Sequence, residues 1–258
     1  MSTFLWESIA FGPIHSRRLG HSLGINLLPT DVKICSFNCL YCECGWTLEK
    51  SLTAREYYSV DTVMQAIEHK LQSVKEEGRE VDSITFSGNG EPTLHPHFDQ
   101  IIDRLLVLRD QYYPQAVISC LSNATQLLRP EVCAALKRIE NPLLKLDAGT
   151  QEMLNIINDP IVPVDIEAVT CELCSFEGNL VIQSMFLSGE KDGLPFDNSQ
   201  EPNISAWIDR IRQIKPRKVM IYSLDRETPA MQLHQFSKEQ LEAIADKVRA
   251  LDIKTDTF

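Results

Sequence analysis

Hydrophobic residues recur along this chain at two alternating spacings. Val60, Val63, Met64, Ile67, Leu71 and Val74 stand three and four residues apart, the period of one helical face, with Asp61 as prospective N-cap and Gly78 as the stop. Ahead of that helix, Leu23 to Leu28 predicts a strand leading into a cysteine-bearing loop. Behind it, Val81 to Phe86 predicts a buried strand that opens into the run Ser87-Gly-Asn-Gly-Glu-Pro-Thr-Leu-His-Pro96. Phe98, Ile101, Ile102, Leu105 and Leu106 predict the next helix, Ala116 to Leu121 the next strand, and Pro130 opens a helix carrying Val132, Leu136 and Ile139. The alternation continues through strand Leu143 to Leu146, helical segments over 151–157 and 164–176, and strand Leu180 to Phe186. It closes with helix Ile204 to Ile214, strand Lys218 to Tyr222 and a last helix holding Leu241, Ile244, Val248 and Leu251.

About six strand-then-helix units in succession imply a parallel sheet with right-handed crossovers, either doubly wound or curled toward a barrel. Six units are too few to close the eight-stranded form, so the expected fold is a partial (β/α)6 TIM-type barrel with a curved parallel sheet. No linker or composition break interrupts residues 1–258, which predicts a single domain.

Composition narrows the function classes. Hydrophobic residues at 43% and charged residues at 24% are globular values. No run approaches the ~20 apolar residues of a membrane span, and the first residues lack a signal-peptide pattern, so a cytoplasmic protein with no membrane partner is expected. A net charge of −11 disfavours phosphate backbones, and with them tRNA, as general partners. Cations gather locally at His15, Arg17, Arg18 and His21, either as a solvated arm or as donors to an anionic substrate.

In parallel α/β folds the chemistry sits on loops beyond the carboxyl ends of the strands. Along the predicted strands these exits carry, in order, four cysteines; Gly88, Asn89, Gly90 and Glu91; Ser122 and Asn123; Asp147; the loop from Ser188 to Pro202; and Asp225, Arg226 and Glu227. The Ser188 to Pro202 segment is long for such a connection and is a candidate lid or substrate loop.

Cys35, Cys39 and Cys42 form C-x3-C-x2-C. Three thiolates on one short loop can hold three irons of a four-iron cluster and leave the fourth iron open to another molecule. The alternative is a structural zinc with Cys44 as fourth ligand, but zinc knots usually pair two C-x2-C hooks and no second hook follows at the usual distance. Cys171 and Cys174 do form C-x2-C, inside a helical pattern, and are read with Cys120 and Cys133 as buried thiols.

This pattern, with Tyr41 before the last cysteine and Gly90-Glu91-Pro92 after the next strand, resembles the radical S-adenosylmethionine superfamily. The segments FGPIHSRRLGHSLGINLLP, SGNGEPTLHP, LLKLDAG and VMIYSLDRETPA resemble its wyosine-synthetase-like Fe–S oxidoreductase branch. The resemblance implies an enzyme that binds a [4Fe-4S] cluster and S-adenosylmethionine. Its cluster would accept an electron from a donor such as flavodoxin or ferredoxin and yield a 5′-deoxyadenosyl radical that takes a hydrogen from a substrate. It further implies Cys35, Cys39 and Cys42 as cluster ligands, and Glu91 as acceptor for the methionine ammonium. Tyr41, Gly88, Asn89 and Gly90 would lie around the cofactor, Asn123 and Asp147 at its ribose, and Gln183 and Tyr222 near its adenine. The tRNA-acting wyosine enzymes have a second cluster built from additional N-terminal cysteines, and no cysteine precedes Cys35. Two other functions remain open: a wyosine-type tRNA-modifying synthase and a non-catalytic metal-binding module.

Overall fold

The computed structural model describes residues 4–48, 56–225, 228 and 230–258. Six strands follow the predicted order and lie side by side in it: β2 (Gly20–Ile25), β3 (Ser83–Phe86), β4 (Val117–Ser122), β5 (Asn141–Lys145), β6 (Val181–Met185) and β9 (Lys218–Tyr222). Every neighbouring pair among them is parallel. Two edge strands were not foreseen: β1 (Ala10–Ser16) runs antiparallel to β2, and β11 (Thr255–Thr257) runs parallel to β9. The curved sheet stays open, with β1 and β11 at opposite ends of its strand order.

Alternation along each strand separates two chemistries. Ile84, Phe86, Ile118 and Cys120 join the main core with Ile67 and Leu71 of α1 (Val60–Glu76) and Ile101 and Leu105 of α2 (Phe98–Tyr112). The opposite face carries a chain of hydroxyls from strand to strand. Ser22 meets Thr85 at 2.7 Å, Thr85 meets Ser83 at 2.9 Å, and Ser83 meets Ser119 at 2.8 Å. One face of the sheet is thus sealed by helices, while the other is partly polar and lines cavities. The remaining helices are α3 (Pro130–Leu136), α4 (Gln151–Ile157), α5 (Ile166–Cys174), α6 (Asn203–Ile214) and α7 (Lys238–Arg249).

Several local expectations are corrected. The N-cap of α1 is Ser59, whose hydroxyl accepts from Thr62 N–H at 3.1 Å; Asp61 lies in the first turn and pairs with Arg104. The Ser188 to Pro202 segment, expected as a long connecting loop, is largely regular structure. It is a hairpin of β7 (Leu187–Lys191) and β8 (Leu194–Asp197), to which β10 (Leu233–Gln235) adds a third strand. The turn is Asp192-Gly193, both with positive φ, the pairing that a two-residue hairpin favours. Cys171 is exposed because α5 buries Ile166, Val169, Thr170 and Leu173 on its other side, whereas Cys120 and Cys133 are buried as expected. No helix among the described residues is long and apolar enough to cross a membrane.

Candidate active site

The cysteine loop leaves β2 and is tied through its backbone to the exit of β3 and to the end of α4. Ile34 N–H donates to Asn89 O and Glu91 N–H donates back to Ile34 O, both at 2.9 Å. Gly90 is required at this crossing: with φ +135°, a Cβ there would lie 1.8 Å from Ile34 O. At Gly88 a Cβ would lie 2.5 Å from the Asn26 side chain. Both glycines therefore admit protein atoms, which is a different close approach from the cofactor contact expected of them. On its other side the loop is held by Asn38 N–H to Asp159 O at 3.0 Å, Leu40 N–H to Ile157 O at 2.9 Å, and Ile161 N–H to Ser36 O at 3.0 Å. Leu40 also packs with Leu187 and Phe196 of the β7–β8 hairpin, so the hairpin backs the cysteine loop.

Cys35, Cys39, Cys42 and Cys44 line one cavity of about 170 Å³ together with Lys33, Tyr41, Gly88, Gly90 and Glu91. Asn123, Lys145 and Gln183 complete the side toward the sheet. Asn123 and Asn158 amides approach the Cys35 and Cys39 sulfurs at 3.5 and 3.4 Å, contacts suited to thiolates that carry charge. Burial pushes the Cys35 thiol up to about 12 and raises Cys39, while hydrogen bonding from Cys44 brings Cys42 down to about 5. Burial alone would lower Lys33, but the thiolates of Cys42, Cys35 and Cys39 outweigh it and hold the ammonium charged. Among the described residues no three His, Cys, Asp or Glu side chains converge on a single ion. A cubane cluster asks for no such convergence, since each thiolate takes a different iron.

The carboxylates are already engaged. Glu91 is buried; its Oε1 accepts from Thr93 N–H at 3.1 Å, from the Thr93 hydroxyl, and from the Ser122 hydroxyl at 2.8 Å, and its Oε2 accepts from Asn123 N–H at 2.6 Å. Burial nonetheless raises its affinity for a proton. Asp147 accepts from the Tyr41 hydroxyl, from Asn158 at 2.7 Å and from Met185 N–H at 2.8 Å. Lys145 lies 3.6 Å from Asp147 and donates to the Tyr222 hydroxyl at 2.8 Å. Burial works against its charge, but Asp147, Tyr222 and Cys39 prevail and raise it.

The residues singled out from sequence fall into three groups. Cys35, Cys39, Cys42, Tyr41, Gly88, Gly90, Glu91, Asn123 and Gln183 share the cysteine cavity. Tyr222, His15, Arg17 and Arg18 line a second, adjoining one. Asn89 lines neither: its amide is spent on Trp6 and Pro29. Asp147 sits behind the cavity, where it orients Tyr41. Arg226 and Glu227 lie outside the described residues. Lys33, Lys145 and Asn158 were missed. Lys145 carried a signal, a lone cation inside the apolar strand Leu143 to Leu146, whereas Asn158 is brought in by the end of α4 and had none.

Residues 31–192 match the family model described as the Radical SAM superfamily. A UPF0026 protein of Methanocaldococcus jannaschii is 29% identical over 215 residues, covering 82% of this chain and 62% of that protein. A radical SAM methyltransferase from Sphaerobacter thermophilus superposes with a TM-score of 0.66 at 14% identity, over 92% of this chain and 65% of that one. SuiB of Streptococcus suis, solved with S-adenosylmethionine bound, gives 0.61 at 14% identity over 88% and 48%. The chain thus spans less than two thirds of the length of each of these three, and the two solved structures share its fold.

Proposed function

Since the chain belongs to the radical S-adenosylmethionine superfamily, a family of enzymes that use a [4Fe-4S] cluster with S-adenosylmethionine, we propose that Cys35, Cys39 and Cys42 hold such a cluster here. The observation that carries this reading is the cavity itself. Three motif thiols, Gly88, Gly90 and Glu91 from the next strand exit, and Gln183 from a third strand line the same space. When bound, the cluster and cofactor supply a 5′-deoxyadenosyl radical that abstracts a substrate hydrogen.

The chain's own residues supply placement and charge. Lys33, buried beneath the thiols and donating to Gly45 O at 2.8 Å, offsets part of the negative charge of a three-thiolate loop. Asn123 and Asn158 donate toward Cys35 and Cys39 and fix their side chains. Glu91 Oε2, with one donor against three on Oε1, is the oxygen with capacity left for the methionine ammonium. Asn123 and Asp147 spend their side chains on the cysteine loop and on Tyr41, so in this reading they position the wall that meets the ribose. Gln183 and Tyr222 lie on the sheet side, where an adenine would stack. The substrate is anionic and enters from the side of His15, Arg17 and Arg18, and a one-electron donor of the flavodoxin or ferredoxin kind supplies the reductant. The chain works as one unit in the cytoplasm.

Anaerobic reconstitution with iron and sulfide, followed by S-adenosylmethionine and a strong reductant, tests the reading. A four-iron chromophore and release of 5′-deoxyadenosine are expected. Protein that takes up metal but cleaves no S-adenosylmethionine would instead be a metal-binding module.

A further inference from the structure

Beside the cysteine cavity, sharing Leu121 with it, lies a larger one of about 480 Å³. His15, Arg17, Arg18, Glu43 and Asp225 line it, and they are not equivalent. Arg17 gives its guanidinium to Asp225 at 2.6 Å, and Glu43 has a partner of its own. Arg18 has no carboxylate within ion-pair distance among the described residues. Its guanidinium carbon lies over the Tyr222 ring, 5.0 Å from the centre, and its side-chain N–H groups donate to no described residue. The Tyr222 hydroxyl accepts from Lys145, which lines the cysteine cavity, so a group bound at Arg18 stands one tyrosine away from that cavity. Ser87, whose hydroxyl makes no hydrogen bond to the described residues, adds a neutral donor to the lining.

The apolar part of this lining sets Leu19, Leu121 and Met185 beside an aromatic pair, Trp6 and Phe11. Trp6 stacks on Phe11 with centroids 3.6 Å apart and planes 11° from parallel. Phe11 pairs opposite Gly24, just before a register irregularity in β1, and its ring covers that glycine so closely that a Cβ there would be 2.1 Å away. Asn89 clamps the Trp6 backbone from both sides, accepting from its N–H at 2.8 Å and donating to its carbonyl at 2.9 Å. The turn that carries Glu91 therefore also positions an aromatic wall of the second cavity.

We infer that this cavity receives a small organic anion, a carboxylate or a phosphate, with a flat conjugated body. Arg18 grips the charge, Arg17 stays paired with Asp225, and the body lies beside Trp6, whose ring Phe11 backs. That this ligand is the enzyme's substrate rests on the function proposed above; that the cavity binds it does not.

The test uses reconstituted, ¹⁵N-labelled protein, in which Trp6, Trp46 and Trp207 give separate indole N–H signals. Benzoate, phenyl phosphate, acetate, inorganic phosphate and benzyl alcohol are titrated in turn. Benzoate or phenyl phosphate is expected to shift Trp6 and to bind at least tenfold more tightly than acetate, inorganic phosphate or benzyl alcohol. The better of the two aromatic anions names the anionic group. Arg18→Gln should weaken that binding tenfold or more, and Arg212→Gln, at an exposed arginine of α6 outside both cavities, by less than twofold. An unmoved Trp6 signal, equal binding of benzyl alcohol, or unchanged affinity in Arg18→Gln would overturn the inference. Iron content and S-adenosylmethionine cleavage, measured on the same preparation, report separately on the cofactor reading.

Discussion

Cys35, Cys39 and Cys42 each carry a different iron in the proposed cluster, so Cys39→Ala is expected to abolish the brown chromophore and most bound iron, while Cys44→Ala keeps both. Equal iron loss in the two variants, assayed after anaerobic reconstitution, would return the site to a four-cysteine zinc reading. Glu91 serves two ends that two substitutions separate. Glu91→Ala strands the donors of Thr93, Ser122 and Asn123 in a buried site, at about 1–3 kcal/mol each, so its urea midpoint should fall sharply. Glu91→Gln keeps the shape and loses the charge. It should assemble the cluster normally and bind S-adenosylmethionine about ten- to a hundredfold more weakly; undiminished affinity by equilibrium dialysis would remove Glu91 from the cofactor site. Sequence placed Glu91 at the cavity, but its bonds to two β4-exit residues depend on a strand pairing that no local pattern displays.

Elements fix the site by locking strand exits together. The β7–β8 hairpin backs the cysteine loop, and its Asp192-Gly193 turn needs positive φ at both residues. A side chain at Gly193 meets no neighbour, so Gly193→Val should cost only the backbone strain of about 1–2 kcal/mol. Hydrogen exchange should then quicken in β7 and β8 and stay slow in β3 and β4. Glu140 gives a second prediction. It joins α2 to β4, accepting from Arg109 at 2.8 Å and from Ile118 N–H at 2.9 Å. Burial alone would raise its carboxyl, but those donors outweigh it and hold the carboxyl below its ordinary value. A depressed carboxylate stabilises the fold above its unfolded pKa, and the gain is lost as pH falls through the folded one. The stability advantage of the wild type over Glu140→Gln should therefore be largest near neutral pH and shrink toward pH 3, as read by urea unfolding at each pH.

At the scale of the whole molecule, an open sheet leaves the two adjoining cavities reachable from its unsealed face, and an acidic surface selects what arrives. With a net charge of −11, unmodified tRNA should show no retarded band at about 0.15 M salt in a gel-shift assay. A saturable shift there would favour the tRNA-modifying alternative. The six central strands were legible because each carries short apolar runs between helical patterns, and their order followed from right-handed crossovers between sequential units. The edge strands were not. Residues 10–16 include Gly12 and Pro13 and alternate poorly, and β11 is three residues long, so each is a strand only because a neighbour's free edge is there to pair with.

Sequence by itself determined the strand–helix alternation, the three-thiol loop and the Gly-Glu turn one strand later, because hydrophobic period and ligand spacing are local properties of the chain. Tertiary structure decided how the remaining groups are used. Asn89 turned from the cofactor to Trp6, Asp147 was committed to Tyr41, Lys145 was set between two tyrosines, and Arg17 but not Arg18 was neutralised. Each of these contacts joins residues 77 to 208 positions apart in the chain. For Asn89, Asp147 and Lys145 the energy that selects the contact is the cost of leaving a buried polar group unpaired, and it exists only once the sheet has brought the partners together; the exposed Arg17–Asp225 pair follows from proximity alone.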